Sequence, residues 1–444
     1  MALVALALAV VSTQRTARAG LDEYVKKADS AFSWTQSGSQ KTPAGAITFI
    51  TLTSQVWQGI KWKHDLRVYE PSENLLYPDA MLLFVTGGSH DSKASADDHK
   101  QAFSLARLCG ARVAVLPQVP NQPLFDGMTE DTLIAETFIR YLKTKDENWP
   151  LLFPMTKSAV RAMDCLQAWA SENRKPPVKK FVVSGASKRG WTTWLTGAVD
   201  DRVVAVAPMV IVMLNMGPQG PNQLKVWGKY SEQIDDYVQR GLMENAQTAE
   251  GTKLWKMVDP YSYRERLAKP KLLINGTNDR YWTLDALDLY WSGLLGPKYV
   301  VELPNAGHGL DQNREWALTG LGAFFRSVVS GRPMPAISWG LSRPTSSAAE
   351  LTIKTSPAPL SSRLWSAQST TRDFRESKWE SSPLHPGESI QAKVAAPPGQ
   401  NLAFMGELEF KIDEFTYHLT TTFFEIGIEP PRDTASPATK SAAQ

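Results

Sequence analysis

Between residues 81 and 329 the chain keeps returning to one phrase: a short apolar run, a turn of small residues, then a longer stretch of helical periodicity. The apolar runs lie at 81–85, 112–116, 180–184, 203–207, 271–274 and 299–303. Helical patterns fall at 97–108, 131–144, 155–172, after Ser187, and at 312–329. Strands this short and this apolar are buried on both faces, and strands that alternate with helices build a parallel α/β sheet. Upstream, residues 57–69 alternate apolar and polar positions and read as a strand with one half-buried face.

Two regions break the rhythm. The stretch 213–262 contains Trp227, Tyr230, Tyr237, Trp255, Tyr261 and Tyr263, and it reads as a cap inserted between sheet elements. Beyond Gly331-Arg332-Pro333 the composition turns to Ser, Thr and Pro, with strand-like pieces such as "ELTIKT" and "FTYHLTTTFFEI". Residues 336–427 therefore read as a small β-sandwich of the immunoglobulin-like kind, and 428–444 as a disordered tail.

The 444 residues suit two or three domains, so the α/β part with its inserted cap would span 20–332. A net charge of +3 with no long Lys/Arg run leaves no nucleic-acid footprint. The opening "MALVALALAVVSTQRTARAG" is apolar through Val11 and carries Ala17-Arg18-Ala19, which resembles a signal peptide over 1–19, although a basic leading region is missing. It is too short to span a bilayer and no later run is long enough, so stable membrane insertion is not expected and the periplasm or the exterior is. Cys109 and Cys165 can make neither a disulfide scaffold nor a zinc site alone; a single pair and two buried thiols both stay open.

The stretch "VVSGASKRGWTTW", residues 182–194, carries the chemistry. An α/β-hydrolase nucleophile sits on a sharp strand-to-helix turn within Gly-x-Ser-x-Gly. Gly185, Ala186 and Ser187 fit, but position 189 is Arg and the glycine comes one place later, at 190. Read alone, Ser187 is either a nucleophile or a helix N-cap. A serine needs a histidine to take its proton and a carboxylate to orient that histidine, in the chain order Ser, Asp/Glu, His. Only His308, His385 and His418 follow Ser187, and the last two fall in the predicted sandwich. His308, in "LPNAGHGLD", follows an apolar strand, and Asp279 follows the strand of "KLLINGTNDRYW". Asp285 and Asp311 are weaker rivals for the acid, as is Asp259 in the cap. The developing oxyanion calls for the amide of Lys188 and one from Thr86-Gly87-Gly88-Ser89, either Gly88 or Ser89. Lys188 and Arg189 either face an anionic substrate or brace the turn, Arg189 through Asp200 or Asp201. Arg189, Trp227 and Trp255 are the candidate substrate contacts. Trp191 and Trp194 are expected in the core. No metal or organic cofactor is called for.

The long phrases "SGASKRGWTTWLTGAVDDRVVAVAPMVI", "DPYSYRERLAKPKLLINGTNDRYWTLDALDLYW" and "PNAGHGL" resemble the PhoPQ-activated pathogenicity-related family, an α/β-hydrolase group, across residues ~22 to 425. That resemblance implies an export signal, a hydrolase domain and a C-terminal β domain, with Ser187 as nucleophile, Asp279 as acid and His308 as base. Val212 departs from it, standing where the family commonly has Asp, which would alter the substrate pocket. The expected protein is an exported serine hydrolase acting on a small ester or peptide, a carboxylesterase before an aminopeptidase or dipeptidyl-peptidase. A peptidase would need a carboxylate for the substrate ammonium, from Glu232, Asp235, Asp236 or Glu244. The rival from another class is a secreted binding or signalling protein that holds a protein partner through its β domain.

Overall fold

The computed structural model describes residues 20–427; the expected signal peptide at 1–19 and tail at 428–444 lie outside the described residues. Nine strands form the main sheet: β1 (Ser33–Thr42), β2 (Gly45–Trp57), β3 (Ile60–Pro71), β4 (Ala80–Val85), β5 (Arg112–Leu116), β6 (Lys180–Ala186), β7 (Val203–Met209), β8 (Lys271–Gly276) and β9 (Lys298–Leu303). Their order is β1-β2-β3-β5-β4-β6-β7-β8-β9. The first three are antiparallel, and β4 to β9 run parallel to one another. β4 lies between β5 and β6, so the chain winds one way and then the other from it. The crevice beyond the carboxyl ends of β4 and β6 is therefore the place where this topology opens a site.

Every parallel strand expected from the apolar runs is present. The alternating run at 57–69 is not one strand: Gln58 and Gly59, with φ of 50° and 77°, make a two-residue turn between β2 and β3. Such a turn keeps the register of the alternation, so periodicity alone reads straight through it.

Successive residues on β4 and β6 face opposite cores. Leu83, Val183, Trp194 and Phe138 share one face; Leu82, Val182, Leu321 and Phe324 share the other. The first face is covered by α1 (Leu21–Lys26), α3 (Glu130–Thr144), α4 (Leu152–Glu172) and α5 (Lys188–Val199), the second by α2 (Ala96–Cys109) and α10 (Arg314–Ser330). Cys109 ends α2 and Cys165 lies in α4, in different cores, and both are buried free thiols. Between β7 and β8 the cap comprises α6 (Met216–Trp227), α7 (Asp235–Val238), α8 (Leu242–Asn245) and α9 (Ala249–Val258).

The C-terminal module has two antiparallel sheets. Strands β10 (Ala336–Thr345), β11 (Ala348–Ser356) and β14 (Ser389–Ala395) make one. The other holds β12 (Ser361–Ser369), β13 (Glu380–Leu384), β15 (Asn401–Ile412), β16 (Phe415–Thr420) and β17 (Phe424–Ile426). Leu351 and Ile390 of the first sheet and Phe404 and Leu408 of the second share a core with Phe324 of α10 and Val301 of β9. Arg326 of α10 is 1% exposed and donates to Leu108 O, Asp413 and Glu414, so it ties α2 to the β15–β16 turn. No helix among the described residues is long and apolar enough to cross a membrane.

Candidate active site

β6 ends at Ala186 and α5 begins at Lys188, leaving Ser187 alone to make the turn, at φ 59° and ψ −126°. An L-residue there is strained, and such strain persists only where the surroundings enforce it. Two glycines enforce it. A Cβ on Gly185 would lie 2.8 Å from the carbonyl oxygens of Val85 and Arg189. One on Gly190 would lie 2.7 Å from Ile211 Cγ2 and 2.9 Å from Met209 O. The glycine displaced by one place from the usual motif is thus the one at which α5 touches the strand end beneath it.

The Ser187 hydroxyl makes no N-cap bond. Its Oγ lies 2.8 Å from His308 Nε2, and His308 Nδ1 lies 2.8 Å from Asp279 Oδ2. Asp279 Oδ1 accepts the amide of Tyr281 at 2.9 Å, and the Tyr281 ring lies against the imidazole with centroids 4.2 Å apart. Asp279 is buried, so its carboxylate is held in one orientation. The rival acids are engaged elsewhere. Asp285 binds Arg372 and Asn222, Asp311 accepts from Gly307 N, and Asp259 accepts the amides of Asn215, Met216 and Tyr261. Burial pushes the Asp259 carboxyl up to about 6 against those three amides.

The amide of Lys188 opens α5, where no intrahelical acceptor exists for it. Of the two residues expected to supply a second donor, Gly88 lines a cavity with Ala186, Met209 and Gly309, separate from the one lined by Ser187 and His308, and the Ser89 hydroxyl binds Asp91 at 2.7 Å, so the choice between their amides stays open.

Arg189 is not a substrate contact, and neither Asp200 nor Asp201 is its partner. It is 8% exposed, donates from Nε to Val119 O at 2.5 Å, and forks onto both oxygens of Glu130 at 2.7 and 2.6 Å. It passes so close to Gly87 that a Cβ there would collide with the guanidinium. Burial opposes ionisation of Glu130, but the Arg189 bonds and charge, with Gln122 and Lys188, outweigh it and hold the carboxyl at about 2. Asp200 pairs instead with Arg202. Lys188 Nζ lies 2.6 Å from Asp131, which also accepts the hydroxyls of Tyr237 at 2.8 Å and Tyr281 at 3.1 Å. Both cations that follow the serine are therefore matched by the acidic pair that opens α3.

A cavity of about 170 Å³ opens onto Ser187 and His308 under the cap. Its walls include Ile211, Met213, Tyr230, Met243 and Trp255. Trp191 is both core and wall: it is 4% exposed, lines the cavity and donates to Val258 O. Trp194 is fully buried, as expected. Trp227 lies outside the cavity wall, with Arg375 stacked 4.0 Å over its ring. Val212 is buried in the core between two wall residues and is not itself wall.

Residues 21–375 match the family described as PhoPQ-activated pathogenicity-related protein. The chain belongs to this family. It is also 32% identical over 382 residues to autocrine proliferation repressor protein A of Dictyostelium discoideum, covering 80% of this chain and 76% of that protein. Similar solved structures include acetyl xylan esterase 1 from Thermoanaerobacterium sp. JW/SL YS485, at 17% identity and TM-score 0.49 over 68% of this chain and 93% of that one. A glucuronoyl esterase from Solibacter usitatus has 13% identity and TM-score 0.42 over 67% of this chain and 87% of that one.

The PhoPQ-related match ends at residue 375, short of the 425 expected from the quoted phrases, yet it reaches into the β module. There it meets contacts that sequence reasoning missed. Asn278, beside Asp279, donates to Arg375 O at 3.1 Å and Ser377 O at 2.8 Å. Asn305, in the loop that carries His308, exchanges two bonds with the Trp379 backbone at 3.0 and 2.8 Å. Arg375 also reaches the cap at Glu232, 3.1 Å away. In this PhoPQ-related chain one segment of the β module holds the Asp279 loop, the His308 loop and the cap together.

Proposed function

We propose that this protein is an exported serine hydrolase of the carboxylesterase kind. The relay from Ser187 through His308 to Asp279, with both links at 2.8 Å, carries the proposal. In this reading Ser187 Oγ attacks the ester carbonyl while His308 Nε2 takes its proton. Asp279 keeps Nδ1 protonated and steadies the imidazolium that forms. The amide of Lys188 and that of Gly88 or Ser89 receive the oxyanion. Collapse of the tetrahedral intermediate breaks the bond to the alcohol, which leaves with the proton from Nε2. Water then gives a proton to Nε2 as it attacks the acyl-enzyme, and collapse of the second tetrahedral intermediate breaks the acyl–Oγ bond, returns that proton from Nε2 to Ser187 Oγ and releases the acid. The apolar stretch at the N-terminus supports export, and a mature protein starting at Gly20 would bear out cleavage after Ala19.

An ester suits the site better than a free peptide N-terminus. Glu232 is taken by Arg280 and Arg375, and Asp236 by Arg240 and Thr132. Asp235 and Glu244 are exposed and do not line the cavity, while Asp131, which does, is neutralised by Lys188. The test is a fluorophosphonate probe followed by p-nitrophenyl acetate against dipeptide amides. Wild type should label, and Ser187→Ala should not, with kcat at least about 10³-fold lower. Equal labelling of the variant removes Ser187 as nucleophile; faster cleavage of amides makes the protein a peptidase.

A further inference from the structure

We infer that the cavity under the cap is a subsite for one apolar group the size of a six-membered ring, attached through one methylene to the ester it presents to Ser187. This rests on the serine esterase reading above. The cavity measures about 170 Å³. An apolar cavity of about 150 Å³ in another protein stays dry and takes up benzene, so the volume fits a single ring. The wall chemistry agrees with the size. Trp191, Ile211, Met213, Met243 and Trp255 surround the space with carbon and sulfur.

Several polar side chains that reach the wall are already engaged, whereas the buried Trp282 Nε1 reaches it without a hydrogen-bond partner among the described residues. The amide nitrogen of Gln219 bonds Leu214 O at 2.9 Å and Ala286 O at 3.3 Å. Gln223 binds Tyr281 O and the amide of Ser231. Lys188 and Asp131 neutralise each other at 2.6 Å. A substrate hydroxyl or charge placed against the engaged groups would lose water and gain little, whereas an apolar ring would lose only water contacts. Thioether side chains at Met213, Met216 and Met243 let the wall close around rings of differing shape.

The test measures kcat/KM with the full chain on methyl acetate, methyl phenylacetate, benzyl acetate and methyl 2-naphthylacetate. One single-ring ester should exceed methyl acetate by about tenfold or more, the discrimination an apolar pocket gives. Preference for phenylacetate places the ring in the acyl part, and preference for benzyl acetate places it in the alcohol. The naphthyl ester should fall below the better single-ring ester. Two variants fill the space. A Cβ at Gly220 meets Tyr230 Cε1 at 3.4 Å and Met243 Sδ at 3.8 Å, ordinary contacts, so Gly220→Leu enters without a clash at the first carbon. Met213→Trp fills it from the segment just before α6. In either folded variant the ratio of ring ester to methyl acetate should drop to near one. If Ser187 takes up the fluorophosphonate and the ring preference is absent, or survives both variants, the subsite is wrong while the serine hydrolase reading stands. If Ser187 takes up no probe, that reading fails and the subsite with it.

Discussion

Arg189 occupies the position at which the common nucleophile turn has a glycine, and its side chain explains how the turn tolerates it. The guanidinium runs beneath the Gly87 loop, holds Val119 O and forks onto Glu130. The loop that would supply the second oxyanion donor therefore rests on this side chain. Lysine keeps the charge and loses the fork. Arg189→Lys should lower kcat by about 10²-fold, a loss typical of a misplaced oxyanion donor, and slow fluorophosphonate labelling to match. Unchanged labelling would mean that Arg189 supports only the fold.

Glu302 makes a second prediction at this scale. It is fully enclosed on β9, with Oε1 bonded to Asn275 and Oε2 without a partner among the described residues. Burial, aided by the Asp279 charge and opposed by Asn275, pushes its carboxyl from 4.5 up to about 8. Between those values the folded protein holds a proton that the unfolded chain has released. The stability this group allows is complete below the unfolded value and falls as pH rises toward the folded one, by about 1.4 kcal/mol per pH unit. The melting-temperature advantage of Glu302→Gln over wild type should widen from pH 5 to pH 8 and then level. Parallel curves would show that Glu302 does not titrate there.

Among the elements, the parallel strands were legible because burial on both faces leaves a dense apolar signature. The three triad positions were legible because each follows one of those strands, and chain order narrowed the choice to Asp279 and His308. What stayed hidden depends on partners remote in sequence. Glu130 lies 59 residues from Arg189, so the nearer Asp200 looked the better match. Asn278 and Asn305 read as ordinary turn residues because their partners lie 97 and 74 residues downstream. Both asparagines anchor the Asp279 and His308 loops to the β module, so on the proposed mechanism their loss should act on alignment more than on binding. Asn305→Ala should lower kcat about tenfold with KM little changed, and labelling should slow in proportion. A rise in KM at constant kcat would contradict that role.

Across the whole molecule, the β module and the α/β domain share one apolar core as well as the Arg326 cluster. Arg326 is buried while Asp413 and Glu414 are 32% and 66% exposed, so losing the cation costs less than the ~3–5 kcal/mol of a fully buried pair. Arg326→Met should lower the melting temperature of both halves together in a single transition; two separate transitions would show that the modules unfold independently.

The junction at Gly331-Arg332-Pro333 is exposed, while almost everything that unites the two halves lies elsewhere. Covalent continuity there is then nearly superfluous. A protease that nicks this junction should leave the two pieces eluting as one particle, with any turnover of the intact chain retained. Two chains divided at the same point should complement one another when mixed, so the molecule already has the layout of a split protein.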